Sequence, residues 1–535
     1  TSFIFCFLFV ECFSQAGEWV WLKGDSVPNQ PGNYGVQGVP SPTNNPPSLY
    51  EPCEWTDLNG NFWMFGGSGI TPGGYYGDLW KYNLLTNEWN WMKGTGITND
   101  PGNYGTQGIP SMTNNPSARS YGAATWIDSL GNLWMFGGLT ALNPSHCSDL
   151  WKYDISTNEW TWMKGPSVTG QSGIYGTQGM PDSANNPAAK WECVASWTDH
   201  NSDLWFFGGF GSLLDDLWKF NIASNQWTWM KGSLILSNPG INGTAGIEDS
   251  LNTPGSRCAY SRWKDTNGNL WFFGGMFGSG VYPFNDMWRY NPLTNNWTWM
   301  GGNGVTGIYG TKCIASPNNI PAARYENRPC WTDQDGNFWF FGGGNGSGFG
   351  AVYNDIWKYC VASNQWIWIH GSSSINPAGN WGTLGVSSAT NKPNGRGGGV
   401  GWRDNNNNLY IFGGATHHYN SPYYYNDLWK YTIDTTCGVC PTSTGIQENN
   451  FTNELLVFPN PTNSSLTISF QSSSKQNIEL RIYNTLGKQI YLEKAAIASG
   501  KFEKEINVKK LSDGIYFLQV KMAETIISKK VVIQH

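Results

Sequence analysis

The sequence predicts an all-β chain: a ring of six four-stranded sheets, closed by the N-terminal strand and followed by a small β-sandwich. Three observations predict this. Gly-Gly pairs begin at Gly66, Gly137, Gly208, Gly274, Gly342 and Gly413, spaced by 71, 71, 66, 68 and 71 residues. An Asp-[Leu/Met/Ile]-Trp triplet follows each pair, at Asp78, Asp149, Asp216, Asp286, Asp355 and Asp427. A Trp-x-Trp signal starts at Trp19, Trp89, Trp160, Trp227, Trp297 and Trp366. Self-similarity at a long fixed period marks units that bury their apolar faces on one another.

Each unit reads as four strands, a to d. In the second, residues 121–127 form strand a and Asp128-Ser-Leu-Gly-Asn132 a tight turn. Residues 133–136 form strand b, which runs into the Gly-Gly pair; 149–155 form strand c and 159–163 strand d. Gly and Asn stand where the turns need positive φ. Only Trp191 and Trp381 fall outside the strand positions, so the indoles are mainly architecture, plates filling the space between sheets. The chain opens with a lone strand d (18–22) and closes with strands a, b and c (398–433). The N-terminal strand therefore completes the last sheet and hides its edge, giving a six-bladed β-propeller over 17–434.

Composition agrees. The 535 residues include 67 Gly, 31 Trp, 25 Tyr and 26 Phe, with 13% charged. Gly-rich turns between aromatic strands are an all-β signature. The formal net charge is −6, yet residues 455–535 carry 11 Lys or Arg against 6 Asp or Glu, and every Trp precedes Lys430. These shifts place a linker at 435–454 and a separate domain at 455–535. An acidic main body argues against nucleic acid as a partner, and no apolar run is long enough for a transmembrane segment. The first residue is Thr1, so the chain is expected to lack its true start. The apolar run at 3–13, followed by Ser14-Gln15-Ala16, reads as the rear of a signal peptide over 1–16, cut before Gly17.

Eleven Cys occur, two of them (Cys6, Cys12) in the expected signal. Cys437 and Cys440 form no recognisable zinc set, because no second close pair exists. A local disulfide between them at the end of the ring is expected in an exported protein.

The Gly-Gly after strand b, the downstream aromatic of strand c and the Trp of strand d resemble the kelch repeat family over 17–434. The units are longer than the ~50 residues usual for kelch, and the extra length lies between strands d and a. The resemblance implies a kelch-type propeller without specifying a function, because one fold serves many.

Turns a–b and c–d are short and share one face; connections b–c and d–a carry the length on the other. The d–a segments repeat a theme, as in Asn33-Tyr34-Gly35 and Asn103-Tyr104-Gly105. An aromatic binding face around the channel is one reading; the recurrence in most blades favours the other, that each Tyr packs under its own loop and stiffens it. A ligand site should break the repeat, which singles out Trp381, Trp191 and the loop with His417, His418 and Tyr424. A second theme is the cation opening strand a: Arg119, Lys190, Arg257, Arg324 and Arg396, with Leu49 in the first unit. Glu51, Glu192 and Glu326 accompany some of these. They read either as a ring gripping carboxylates or hydroxyls, or as repeated bonds to neighbouring loops.

Galactose oxidase resembles this architecture and implies copper held by Tyr and His, with a Tyr–Cys cross-link. Only six His are present. His200 lies on the short-turn face and His535 is terminal; His146, His370, His417 and His418 remain. Adjacent His417 and His418 in an extended segment point opposite ways. No catalytic residue, metal or cofactor is therefore expected. The Asp-x-x-Gly-Asn turns read as hairpin turns rather than calcium loops, which require a following Glu.

Residues 455–535 contain Pro459-Asn460-Pro461, Tyr483-Asn-Thr-Leu-Gly-Lys488 and Leu511-Ser-Asp-Gly-Ile-Tyr516, then a basic last strand. This ordered set resembles the type A sorting domain of type IX secretion, a β-sandwich of about seven strands that steers export in Bacteroidota. An Ig-like adhesion module is the alternative. The sequence thus predicts an exported or cell-surface, non-catalytic protein. It would present one propeller face to an extracellular glycan or protein and engage the type IX machinery through 455–535. A carbohydrate-active or galactose-oxidase-like enzyme is the alternative.

Overall fold

The computed structural model describes residues 16–535 except 70–73, 212–214, 259–260, 278–281, 303, 305, 346–350, 417–422, 442–455, 473–475, 485–487, 498–499 and 523–524. The expected signal peptide at 1–16 lies almost wholly outside the described residues. Those described form strands and turns and no helix, so no helix is long and apolar enough to cross a membrane. The chain divides into Thr1–Pro441 and Thr442–His535.

The first unit is propeller-like. Its first antiparallel sheet pairs Cys53–Thr56, Phe62–Phe65, Leu79–Asn83 and Glu88–Lys93 in chain order. Four more follow the same order, and the fourth gains a short fifth strand, Glu248–Asp249, on its outer edge. The sixth consists of Val400–Arg403, Leu409–Phe412 and Leu428–Tyr431, completed by Trp19–Lys23. The closing register is Trp19 opposite Tyr431, Val20 opposite Lys430 and Trp21 opposite Trp429.

Packing explains the ring. Strand b is buried at every position, as in Phe62–Phe65 and Leu204–Phe207. It is covered on both faces, so it reads as an unbroken apolar run instead of alternating. Six apolar clusters each join two neighbouring sheets. The last brings Val400, Trp402 and Phe412 of the sixth sheet against Phe62, Met64 and Trp80 of the first. Trp55 Nε1 reaches from strand a of the first sheet to the carbonyl of Trp134 in strand b of the second (3.0 Å). Trp126 and Trp263 repeat that bond to Trp205 and Trp339.

The a–b turns are self-contained. Asp57 Oδ1 accepts the backbone N–H of Asn59 and Asn61 (both 2.9 Å), and Oδ2 accepts the indole N–H of Trp63 at 2.8 Å. The same wiring recurs at Asp128, Asp199, Asp265 and Asp333, and at Asp404 with Tyr410 in place of the indole. These Asp residues bind the hairpin turns and the strand-b ring.

One expectation is corrected. Cys437 and Cys440 do not pair with each other: Cys437 joins Cys313, and Cys440 joins Cys360. The segment leaving the sixth sheet is thereby fastened to the fifth, across a neighbouring-sheet contact that sequence separation conceals. The long d–a segments follow the reading in which each Tyr packs under its own loop, and they build no face around the channel. Each runs along the outermost strand of the sheet it precedes: Gly38 N–H donates to Trp91 O, Gly108 to Trp162 O, Gly179 to Trp229 O, Gly246 to Trp299 O, Cys313 to Trp368 O and Gly385 to Trp21 O. Outer strands otherwise expose unpaired N–H and C=O groups, and the insertions cover them.

Among the described residues the second unit has seven strands in two antiparallel sheets. Leu456–Phe458, Ser465–Ser472 and Gly500–Asn507 form one; Gln476–Asn484, Gln489–Ile497, Gly514–Met522 and Thr525–Ile533 form the other. Leu466, Ile468 and Ile506 from the first meet Leu480, Leu518 and Val520 from the second in one core.

Candidate functional site

The Asp opening strand c organises each repeat. Arg119 donates Nη1 to Asp149 Oδ1 at 2.9 Å and Nη2 to Oδ2 at 2.8 Å, with both side chains essentially inaccessible. Asp149 Oδ2 also accepts Trp151 Nε1 at 2.7 Å and the Tyr104 hydroxyl at 2.6 Å. Lys190–Asp216, Arg257–Asp286, Arg324–Asp355 and Arg396–Asp427 are buried pairs at 2.6, 2.5, 2.7 and 2.5 Å. The five cations singled out in the sequence thus serve as internal counter-ions and offer no nitrogen to a ligand at the face. In the first repeat Leu49 replaces the cation. Burial pushes the Asp78 carboxyl up there. At Asp149 burial acts in the same direction, but the charge and hydrogen bonds of Arg119 overcome it and hold the carboxyl low.

Trp381 is likewise no break in the repeat. Its Nε1 donates to Asp427 Oδ2 at 2.9 Å, the bond that Tyr34, Tyr104, Tyr175 and Tyr309 make to Asp78, Asp149, Asp216 and Asp355. The tyrosines lie between two indoles, as Tyr104 does between Trp151 and Trp162. His417 and His418 lie outside the described residues.

The residue two after the cation position turns toward the channel in the five repeats where it is described. Glu51, Tyr121, Glu192, Glu326 and Gly398 share φ between 51° and 64°. A non-glycine residue there is uncommon and costs ~1–2 kcal/mol, so four side chains are held around the opening at an energetic disadvantage. Tyr121 sits 5.6 Å from Tyr50, 6.1 Å from Tyr75 and 5.4 Å from Trp191, ring centre to ring centre. Tyr424 lies 6.1 Å from Tyr50, and His146 stacks on Trp191 at 6.1 Å. Tyr75, Tyr121, Trp191 and Tyr424 are all partly exposed. Of the residues flagged in the sequence, Tyr424 and Trp191 meet here, whereas Tyr50, Tyr75 and Tyr121 went unrecognised. Tyr121 follows its cation by two residues, and Tyr50 follows Leu49 by one as Trp191 follows Lys190; Tyr75 lies in a b–c connection and carried no such signal.

Beneath the rings lie Glu51, Glu192 and Glu326, each at most 3% exposed. The Tyr50 hydroxyl bonds to Glu326. Burial drives the Glu51 carboxyl well above the usual range, Arg328 opposes this, and Glu192, Glu326 and Glu54 add to it. Deeper along the channel the residues just before the strand-a Trp form one layer: Glu54, Thr125, Ser196, Arg262, Cys330 and Gly401. Glu54 takes Arg262 Nη2 at 2.8 Å and Arg328 Nη2 at 2.7 Å.

No three His, Cys, Asp or Glu side chains among the described residues converge to hold a metal. His146 stacks at the mouth, and His370 is half-buried in an outer strand against Tyr431.

Residues 456–534 match the family described as the secretion system C-terminal sorting domain. The chain is exported. Type IX secretion carries it to the outer cell surface or the exterior. Part of it is similar to multiple epidermal growth factor-like domains protein 8. The human protein is 30% identical over 115 residues, 21% of this chain and 4% of that protein. The Rattus norvegicus protein is 31% identical over 105 residues, 19% and 3%. The exported chain thus spans a small fraction of these relatives. A solved fungal alcohol oxidase of the AA5 family, in complex with copper, aligns with TM-score 0.40 and 11% identity, covering 94% of this chain and 100% of that one.

Proposed function

We propose that this exported chain is a six-bladed kelch-type β-propeller that binds an extracellular glycan or protein at the b–c mouth of its channel, without catalysis. One observation supports this above the others: Tyr50, Tyr75, Tyr121, Trp191 and Tyr424, from four blades, converge on that mouth over three buried glutamates. Aromatic faces supply large, rigid contact area with little rotamer entropy to lose. The glutamates beneath hold the rings: Tyr50 is tied to Glu326, and Tyr121 is fixed in a backbone conformation that aims it at the opening. The kelch assignment rests on the repeat and on the strand order of the six sheets. The second unit carries the export signal and is read as a type A sorting domain.

The test is an array of extracellular glycans and proteins probed with the full chain. Saturable binding that Trp191→Ala weakens at least tenfold is expected. Turnover of a sugar, with no retained ligand, would overturn the binding reading in favour of an enzyme.

A further inference from the structure

The aromatic mouth stands over an excess of negative charge. Glu51, Glu192 and Glu326 come from the first, third and fifth repeats, and Glu54 lies one layer deeper. The sixth repeat makes room for them. A Cβ on Gly398 would meet the Tyr50 ring at 2.3 Å and Glu51 Cγ at 2.9 Å, and one on Gly397 would meet Glu326 Oε2 at 2.9 Å. Against these four carboxylates stand two guanidinium groups, Arg262 and Arg328, both bonded to Glu54. The five cations of the repeat are taken up by their own aspartates. Glu51 is fully buried, and neither of its oxygens has a hydrogen-bond partner among the described residues. Even with one proton held among the four, the acids outnumber the guanidinium groups. Their charge reaches the rings: after burial and Tyr75, Glu51 is the next cause that pushes the Tyr121 hydroxyl up.

The rings above suit a cation. Tyr121 is inclined at 78° to Tyr50, 82° to Tyr75 and 89° to Trp191. Each such crossing has a corner bounded by two ring faces, and ring faces attract positive charge. Elsewhere the chain covers ring faces with its own guanidinium groups. Arg257, Arg324 and Arg396 lie over Phe284, Tyr353 and Tyr425 at 3.9, 4.3 and 4.5 Å. Among the described residues no cation lies over Tyr75, Tyr121, Trp191 or Tyr424, and all four are partly exposed. His146 stacks on Trp191, but burial pushes it below its ordinary range, so it brings no charge at neutral pH.

We propose that the mouth takes an arginine side chain of an extracellular protein partner. This names the ligand of the site proposed above and rests on that reading. The guanidinium lies against the exposed faces of Tyr121 and Trp191, with Tyr75 and Tyr424 alongside. The glutamates are buried and do not touch it. They act through space, and in a low-dielectric layer their excess charge favours a cation over a neutral group of the same shape. Arginine is preferred to lysine because a planar, weakly hydrated guanidinium stacks on aromatic faces. A neutral sugar would stack on the same rings but gain nothing from the charge beneath.

Isothermal titration of the full chain with acetylated, amidated Gly-Arg-Gly, and with its citrulline and lysine counterparts, tests it. The arginine peptide should bind saturably, the citrulline peptide at least tenfold more weakly and the lysine peptide about threefold more weakly. Trp191→Ala should weaken the arginine peptide at least tenfold, and Glu192→Gln about threefold. The citrulline comparison uses the unaltered chain, so it decides the question of charge even if Glu192→Gln folds poorly. No saturable heat with the arginine peptide, or equal binding of the arginine and citrulline peptides, would overturn the proposal. Folded Glu192→Gln binding the arginine peptide undiminished would overturn the part given to the carboxylates. A neutral glycan bound and weakened by Trp191→Ala, with the arginine peptide silent, would overturn the arginine assignment and leave the mouth as the site. Arginine-peptide binding undiminished in Trp191→Ala would remove the mouth itself.

Discussion

Arg119 and Asp149 meet through two parallel hydrogen bonds of 2.9 and 2.8 Å, out of reach of solvent, and four further repeats copy the pair. Removing one partner strands a charge, so Asp149→Asn should cost about 3–5 kcal/mol. Asp78 has no cation opposite it, because Leu49 occupies that place. Asp78→Asn should therefore cost only about 1 kcal/mol. Denaturant melts of the two variants, side by side, check this. Equal losses would mean that the cations are not the counter-ions of these aspartates.

The disulfides Cys313–Cys437 and Cys360–Cys440 span 124 and 80 residues of chain. Each should contribute about 2–4 kcal/mol. Thermal melts with and without a phosphine reductant should show a clear fall in Tm. Non-reducing alkylation under denaturant should leave these four thiols unlabelled while labelling Cys53, Cys147, Cys193, Cys258 and Cys330. A Cys437–Cys440 peptide in the digest would contradict the structure.

Glu51 is a buried carboxyl pushed upward, first by burial and then by its acidic neighbours. A folded-state pKa above the unfolded one gives stability that is present at low pH and declines as pH rises past the unfolded value near 4.3. Glu51→Gln should therefore raise Tm more at pH 8 than at pH 4. A uniform shift across that range would show that Glu51 does not titrate abnormally.

His370 behaves in the opposite sense. Burial, with Lys312 and Lys392 nearby, pushes it down to about 4. The unfolded chain takes up a proton near pH 6.5 and the folded chain does not, so stability falls as pH drops from about 6.5 to about 4, by at most about 3 kcal/mol. In His370→Gln that segment of the pH–stability curve should flatten. An unchanged slope would assign it to other groups.

The ring was legible because its determinants are local and repeated. Trp-x-Trp, Asp-Leu-Trp and Gly-Gly each mark a strand, and the missing sixth Trp-x-Trp after Asp427 pointed to Trp19 and Trp21 as its replacement, the register observed. The site was less legible because its contacts join distant positions. Arg119 and Asp149 were each visible as periodic features, but nothing in the spacing says that they touch. The one repeat with Leu49 in place of the cation hid the rule. Trp381 looked like a departure because its residue type differs, although its indole N–H substitutes for the tyrosine hydroxyl at Asp427. The recurrence of the loop tyrosines already favoured packing over a binding face; what it did not show is that the loops supply partners to the outer-strand backbone groups.

The measurement closest to the central claim compares two tryptophans, Trp191 at the mouth and Trp381 beneath its own loop. A ligand taken from the array is titrated into the full chain carrying Trp191→Ala or Trp381→Ala. The account expects Trp191→Ala to lose affinity at least tenfold with little change in Tm, and Trp381→Ala to lower Tm while affinity holds. Full affinity in Trp191→Ala, with binding lost in Trp381→Ala, would contradict it and move the ligand to the outer loops.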